Sequence, residues 1–381
     1  YHTFMNDCNN LKDLTQGQVD LREQQYDLKY CVLKEFWKRT RTYHFEEIDE
    51  VEDEWLRNTN NCGLMYSEPA EGEMNVYDVN SFYPHLMKNP KLLIPCGKPS
   101  YETWKSVPEF VKLGICRAVI TGFDRKLFLP NANNYYTYVD IKRARELNYK
   151  IDMIIDGKPN FIYYPTRVNA NQLFTEYMDY FYQFKGKNPL IKSFLNMLWG
   201  SLCERTKEYK TPTDTHIYNI EDLDTCDLYP RPNQNGLTCK VMKQFKNPHA
   251  RLGVFLTAFG RCEISKIIEP IKETVVRTHT DGFYSTKMDV LTSFEMGKLK
   301  LEKSGHFRIK SLNNIETIEM KQLEGEGLKT TIELEHSQSM NEVSCNEQNG
   351  VILVKSEEKT VKKALKKSSK IGKKSLQKSI T

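Results

Sequence analysis

No run of this chain approaches about 18 uninterrupted apolar residues, so no membrane-spanning helix is expected. Ten cysteines are spread from Cys8 to Cys345 without one C-x-x-C pair. That spacing argues against a zinc knuckle and suits reduced thiols in an intracellular setting. No block of sequence repeats. The chain opens on Tyr1 rather than Met and shows no secretory leader, so a fragment or processed product with more chain upstream is expected. The body of the chain also lacks positive charge. The formal net charge is +5, but residues 355–381 hold ten lysines against Glu357 and Glu358, a local +8. Subtracting that tail leaves −3, so any grip on nucleic acid elsewhere must come from local clusters.

What is present suits a folded protein: 381 residues, 39% apolar and 11% aromatic, enough for two or three subdomains. A helical pattern runs from Leu21 to about Arg39, followed by an acidic run from Glu46 to Glu54. Residues 74–78 read as a strand, with Ser81 as N-cap and Pro84 in the first turn of the next helix. Residues 111–120 and 150–155 read as strands. Phe174, Tyr177, Tyr180, Phe181 and Phe184 fall at helical spacing, which points to core packing before base stacking. Asn188-Pro189 is a helix start, and that helix is expected to reach about Arg205. A long helix over 251–273, a hairpin of 274–278 with 283–285, and a helix then strand over 291–312 follow. The lysine-rich tail reads as disordered or marginally helical.

Two aspartates 203 positions apart each stand where a strand gives way to a turn. Asp78 lies in Val76-Tyr77-Asp78-Val79-Asn80-Ser81-Phe82-Tyr83-Pro84, and Asp281 in Arg277-Thr278-His279-Thr280-Asp281-Gly282-Phe283. At a sheet end, Asp78 can hold a divalent ion with the Val79 carbonyl as a second ligand. Singly, each aspartate has a bland reading as a turn residue, Asp-Gly above all. Between them runs Lys192-Ser193-Phe194-Leu195-Asn196-Met197-Leu198-Trp199-Gly200. Lys192 sits early in its helix, where free N–H groups and the positive dipole end favour a phosphate. Asn196 and Gly200 follow at four-residue steps on the same face, with Trp199 at its edge.

In this order the three segments resemble the polymerase signatures of the family B DNA polymerases, D-x-x-S-L-Y-P, K-x-x-x-N-S-x-Y-G and D-T-D-S. The likeness covers about residues 74–310. Its compact spacing is most similar to the viral and linear-plasmid branch, which includes protein-primed enzymes. The resemblance implies an α+β right-hand fold. Palm pieces would span 71–130 and 206–300, helical fingers 131–205 and a small thumb 301–354. Residues 1–70 would form an N-terminal segment, and 355–381 the tail. It makes Asp78 and Asp281 the ligands of two Mg²⁺ ions, replaceable by Mn²⁺, and Lys192 the holder of the incoming triphosphate. Asn196, Ser81 and Phe82 would join the nucleotide site, Trp199 and Gly200 would line the nascent base pair, and Tyr83 would exclude a 2′-hydroxyl. Lys185 and Lys187 are secondary phosphate candidates. Expected partners are primer–template DNA, deoxynucleoside triphosphates and, in the protein-primed branch, a terminal protein.

The departures are specific. His279 replaces the first aspartate of D-T-D-S, where Thr280 is kept, and Gly282 replaces the serine. The thumb K-x-Y signature is reduced to Lys310-Ser311-Leu312. Tyr26-Asp27-Leu28-Lys29-Tyr30 resembles a degenerate exonuclease end with Tyr30 in place of aspartate, and no D-x-E precedes it, so proofreading is not expected. These departures keep a rival reading open, a degenerate polymerase that binds DNA without catalysis. A third, an interaction protein gripping nucleic acid only by its tail, leaves the three motifs unexplained.

Overall fold

The computed structural model describes residues 2–41, 43–59, 62–210, 227–230, 237–321 and 329–335. The lysine-rich tail lies outside these residues. Three helices open the chain, α1 (His2–Leu14), α2 (Leu28–Arg39) and α3 (Glu50–Thr59). The helix expected over 21–39 is interrupted. Leu21–Gln24 makes one 3-10 turn, Gln25 and Tyr26 take left-handed φ values of 52° and 63°, and Asp27 then caps α2 by accepting from the Tyr30 N–H at 2.9 Å. The residues that resemble an exonuclease end therefore serve as a helix cap, a role aspartate fills well.

Strands β1 (Met65–Ser67) and β2 (Ala70–Val79) lead into the short helix α4 (Phe82–Met87). Next come β3 (Leu93–Pro95), β4 (Ser100–Glu102), β5 (Gly114–Thr121) and β6 (Tyr135–Thr137). Helix α5 (Tyr138–Glu146), β7 (Lys150–Met153), β8 (Phe161–Tyr163) and β9 (Arg167–Asn169) follow. The expected strands at 111–120 and 150–155 are thus β5 and β7, which pair antiparallel. Helices α6 (Ala170–Tyr182) and α7 (Pro189–Leu202) come next, then β10 (Arg205–Lys210), β11 (Asp227–Pro230) and β12 (Leu237–Phe245), which form a separate three-stranded sheet. Helix α8 (Arg251–Ile268) precedes β13 (Val275–His279), β14 (Gly282–Ser285), β15 (Leu299–Ser311), β16 (Asn314–Lys321) and β17 (Lys329–Glu335).

Seven strands form one antiparallel sheet in the order β1-β13-β14-β2-β15-β16-β17. β2 is longer than the expected 74–78 because residues 70–73 pair with the far end of β15. One expectation needs correction here. Residues 291–298 are not helical but part of a loop. Side chains of β2 and the residue after it hold this loop: Tyr77 donates to the Lys287 carbonyl, Asn75 to Met288 and Asn80 to Phe294. Residues 301–321 are strands of the sheet that carries both aspartates. Apolar side chains on alternate positions, such as Phe307 and Ile309, give them a face to bury against Met74 and Tyr284.

α8 is buried along nearly its whole length, as an interior helix must be when apolar all round. Its one fully buried cation, Arg251, pairs with Glu52 of α3, Nε to Oε1 at 2.6 Å, and Tyr164 donates to the same carboxylate at 2.9 Å. On α6, Phe174, Tyr177 and Phe181 are completely buried, and Phe181 stacks on Phe194 of α7 at 4.5 Å. That confirms packing as the purpose of the aromatic stripe. Asn188 caps α7 through the Leu190 N–H at 2.8 Å, and Asn188 Nδ2 also donates to Asp7 and Asn10 of α1. α7 is therefore braced from the N-terminal side and ends at Leu202, near the expected stop.

Candidate active site

Strand register assembles the site. Directly opposed residues in antiparallel strands point to the same face. Across β13, β14, β2 and β15 the opposed residues are His279, Gly282, Asp78 and Lys300. Asp281 stands in the turn just beyond this row. The Val79 N–H donates to the Asp281 carbonyl at 2.8 Å, which locks the turn against the end of β2. Neighbouring strands lie about 4.8 Å apart, so the two aspartates approach well within a nanometre along the backbone.

The turn is shaped from outside as well. Thr280 has a left-handed φ of 62°, and its N–H donates to the Leu64 carbonyl at 2.9 Å. A Cβ on Gly63 would come within 2.9 Å of the Thr280 side chain, so only glycine permits that approach. Gly282 is equally constrained. A Cβ there would lie 2.9 Å from the Tyr77 carbonyl and 3.4 Å from Asp78 Oδ1. The glycine in place of the motif's serine thus follows from tight strand contact, and it leaves the flank of Asp78 open toward His279.

Electrostatics link the carboxylates. Burial and then the charge of Asp78 push the Asp281 carboxyl up to about 6. Burial also raises Asp78, against the opposing pull of Lys300. The Lys192 charge lowers both carboxyls, as a smaller influence than Lys300. Burial and the neighbouring charge of Arg277 lower His279, which keeps it neutral near pH 7.

The remaining sequence candidates divide. Lys192, Asn196 and Gly200 share one exposed face of α7, and nothing lies within 4 Å of a Cβ built on Gly200. Tyr83 and Trp199 come together, with ring centroids 5.3 Å apart and planes at 33°. Burial, then the Asp281 charge, pushes the Tyr83 hydroxyl far up, so it stays protonated. Lys185 is also drawn in, donating to Ser81 Oγ at 2.6 Å and Asn80 Oδ1 at 2.5 Å.

Two expectations change, Ser81 as a side-chain cap and Phe82 at the nucleotide side. Ser81 has a left-handed φ of 53° and makes no side-chain cap to α4, its hydroxyl being engaged by Lys185 instead. Phe82 is 3% exposed, and its ring lies 3.2 Å from a Cβ built on Gly260 of α8, so it belongs to the core rather than the nucleotide side. The Lys187 ammonium lies 5.8 Å from the centre of the Phe184 ring. Lys310 is paired with Glu316 and lies ten residues along β15 from Lys300, roughly 33 Å at strand rise. Val79 is buried at the strand end opposite Leu299.

Sequence reading missed Lys300, Glu302 and Asn80. Lys300 Nζ lies 3.2 Å from Asp78 Oδ2 and also pairs with Glu302. The alternation Lys298-Leu299-Lys300-Leu301-Glu302 signals a strand, but no local pattern tells which strand it faces. Asn80 holds the 287–298 loop through its amide, its N–H to Lys298 at 2.9 Å and its carbonyl to Gly297 at 2.8 Å.

The fold is polymerase-like. Phi29 DNA polymerase complexed with single-stranded DNA is similar at a TM-score of 0.59 and 17% identity, over 82% of this chain and 60% of that one. The same polymerase with primer-template DNA and incoming nucleotide substrates gives 0.59 and 16%, over 84% and 62%. Its post-translocation binary complex gives 0.58 and 17%, over 84% and 62%. The chain thus spans about three fifths of the length of these polymerases. No protein-family model matches the sequence. A search of curated proteins found no match. No helix among the described residues is long and apolar enough to cross a membrane.

The site's donor chemistry fits a divalent cation. Asp78 and Asp281 offer hard oxygens, both desolvated and mutually repelling, the condition a bound cation relieves. Among the described residues no group of three or more His, Cys, Asp or Glu side chains comes together as a metal cage. Two protein carboxylates suit Mg²⁺, which keeps waters and substrate oxygens in its shell.

Proposed function

We propose that this chain is a DNA-directed DNA polymerase of the family B type, adding deoxynucleotides to a primer 3′ end. The observation that carries the reading is the meeting of Asp78 and Asp281, from two distant segments, at one end of the sheet, where the Lys192 charge also acts on both. The polymerase fold supports it independently.

Asp78 and Asp281 would hold Mg²⁺, with the Val79 carbonyl as a further donor, and Mn²⁺ would substitute. Such ions, when bound, supply charge neutralisation to the attacking 3′-oxygen and the departing pyrophosphate. Lys192 and Lys185 present ammonium groups to the triphosphate from α7 and the turn before it. Tyr83, held by Trp199, packs against the sugar and leaves no room for a 2′-hydroxyl. The open face at Asn196 and Gly200 admits the nascent base pair. The palm, fingers and thumb divisions, primer–template DNA as partner, a viral or plasmid replicon and a terminal protein primer belong to this proposal.

A second reading, DNA binding without catalysis, draws on His279 and on the Asp78–Lys300 ion pair. Primer extension with Mg²⁺ or Mn²⁺ separates the two. The polymerase reading expects extension by the wild type that Asp78→Ala and Asp281→Ala each abolish while DNA affinity persists. Binding with no extension under either ion would establish the second reading.

A further inference from the structure

Lys300 occupies a position that the polymerase chemistry alone does not explain. It opposes Asp78 directly in the β2–β15 register, and its ammonium reaches Asp78 Oδ2 at 3.2 Å. The same ammonium pairs with Glu302, two residues on. Residues two apart on a strand share a face, and here the pairing slips between Leu301 and Lys303, so Glu302 is the extra residue of a β-bulge. Bulges re-aim side chains, and this one supplies a second acceptor beside the first. Both partners are partly exposed, with Lys300 27% and Asp78 29% accessible, so the ammonium can leave Asp78 without crossing a packed core. Gly282, on the other flank of Asp78, offers no side chain to compete.

We propose that Lys300 is a positioning residue that bridges Asp78 and Glu302 as an internal counter-cation and is left to Glu302 alone when a divalent ion arrives, thereby setting the ion affinity of the site. The inference rests on the reading of Asp78 and Asp281 as cation ligands. Without an ion, the Lys300 ammonium neutralises Asp78 and fixes its rotamer. With an ion bound, two cations cannot share Asp78 Oδ2, and Glu302 alone keeps the ammonium. The arrangement makes ion binding an exchange of one cation for another. Affinity is lowered, and the carboxylate is kept aimed between turnovers.

Mn²⁺ binding to the full chain, without DNA or nucleotide, followed by electron paramagnetic resonance of free Mn²⁺, tests this directly. Lys300→Met and Lys300→Gln are each expected to tighten the Mn²⁺ Kd by roughly two- to fivefold, the scale of a partly exposed ion pair. Glu302→Gln, which leaves Lys300 wholly to Asp78, is expected to weaken it several-fold. Lys192→Met, removing a charge of equal sign that does not touch Asp78, is expected to change it less than Lys300→Met. Unchanged affinity in both Lys300 variants, with wild-type binding that Asp281→Asn abolishes, would overturn the counter-cation role and leave the polymerase reading intact. An equal shift in Lys192→Met would reduce the effect to a general field and also overturn the role. Absence of Mn²⁺ binding in every variant would overturn the cation-ligand reading itself, and this inference with it.

Discussion

The Val79 N–H donates to the Asp281 carbonyl at 2.8 Å, so the turn that presents one acidic side chain is hydrogen-bonded to the strand end that presents the other. Their mutual approach is therefore imposed by the main chain and does not depend on an ion.

That arrangement carries a cost. With its carboxyl pushed up to about 6, ionised Asp281 destabilises the fold above that pH, and the penalty disappears as pH falls below the ordinary carboxylate value. Asp281→Asn is expected to raise stability at pH 7.5 in chelator by on the order of 1–2 kcal/mol, seen as a melting point higher by a few degrees. The same variant is expected to lose extension. A lower melting point would mean that the carboxylate is satisfied by contacts other than those described.

Gly282→Ser would restore the residue of the D-T-D-S motif, yet a worse protein is expected. The new Cβ meets the Tyr77 carbonyl at 2.9 Å, and backbone cannot move aside cheaply. Overpacking of this kind costs about 1–3 kcal/mol. Urea unfolding of the variant measures it, and a midpoint at or above the wild type would refute the steric account.

Tyr83→Ala is expected to weaken discrimination against ribonucleotides by tenfold or more, a change of about 1.4 kcal/mol in relative barrier. Trp199→Ala should act in the same direction but less, because Trp199 supports Tyr83 from 5.3 Å rather than meeting the sugar. Incorporation ratios of matched dNTP and rNTP decide this. Equal discrimination in both variants would remove the assignment.

His249 predicts an acid-sensitive fold. Its ring stacks on Phe45 at 3.8 Å, and burial, reinforced by Arg251, lowers its pKa to about 4. The unfolded chain binds the proton near pH 6.5 and the folded chain only near 4, so stability falls as pH drops through that window, by up to about 3 kcal/mol. Urea midpoints at pH 7 and 4.5 read the loss, and His249→Gln should make the profile flatter. An unchanged slope in that variant would assign the acid sensitivity elsewhere.

The three motif segments were legible because each pairs a distinctive residue with a strand-turn or helix-start pattern that the fold honours. Asp78 stands one residue before the end of β2, Asp281 tops the β13–β14 hairpin, and Asn188-Pro189 starts α7. Tyr83 and Phe82 were harder to separate, since adjacent helix positions differ only in which side meets α8. Lys300 was illegible for a deeper reason. Its role depends on which of several strands β15 joins, a long-range choice that local alternation does not encode. The same gap hides the pairing of 301–321, whose strands carry ordinary alternation but extend the sheet of the aspartates.

The hydrogen bond between residues 79 and 281 spans more than half the sequence. Partners so far apart meet only after most of the intervening chain has been ordered, and such topologies fold slowly. During synthesis the emerging protein would carry Asp78 long before Asp281 leaves the ribosome. The paired carboxylates would thus be absent from every nascent form that stops short of Asp281.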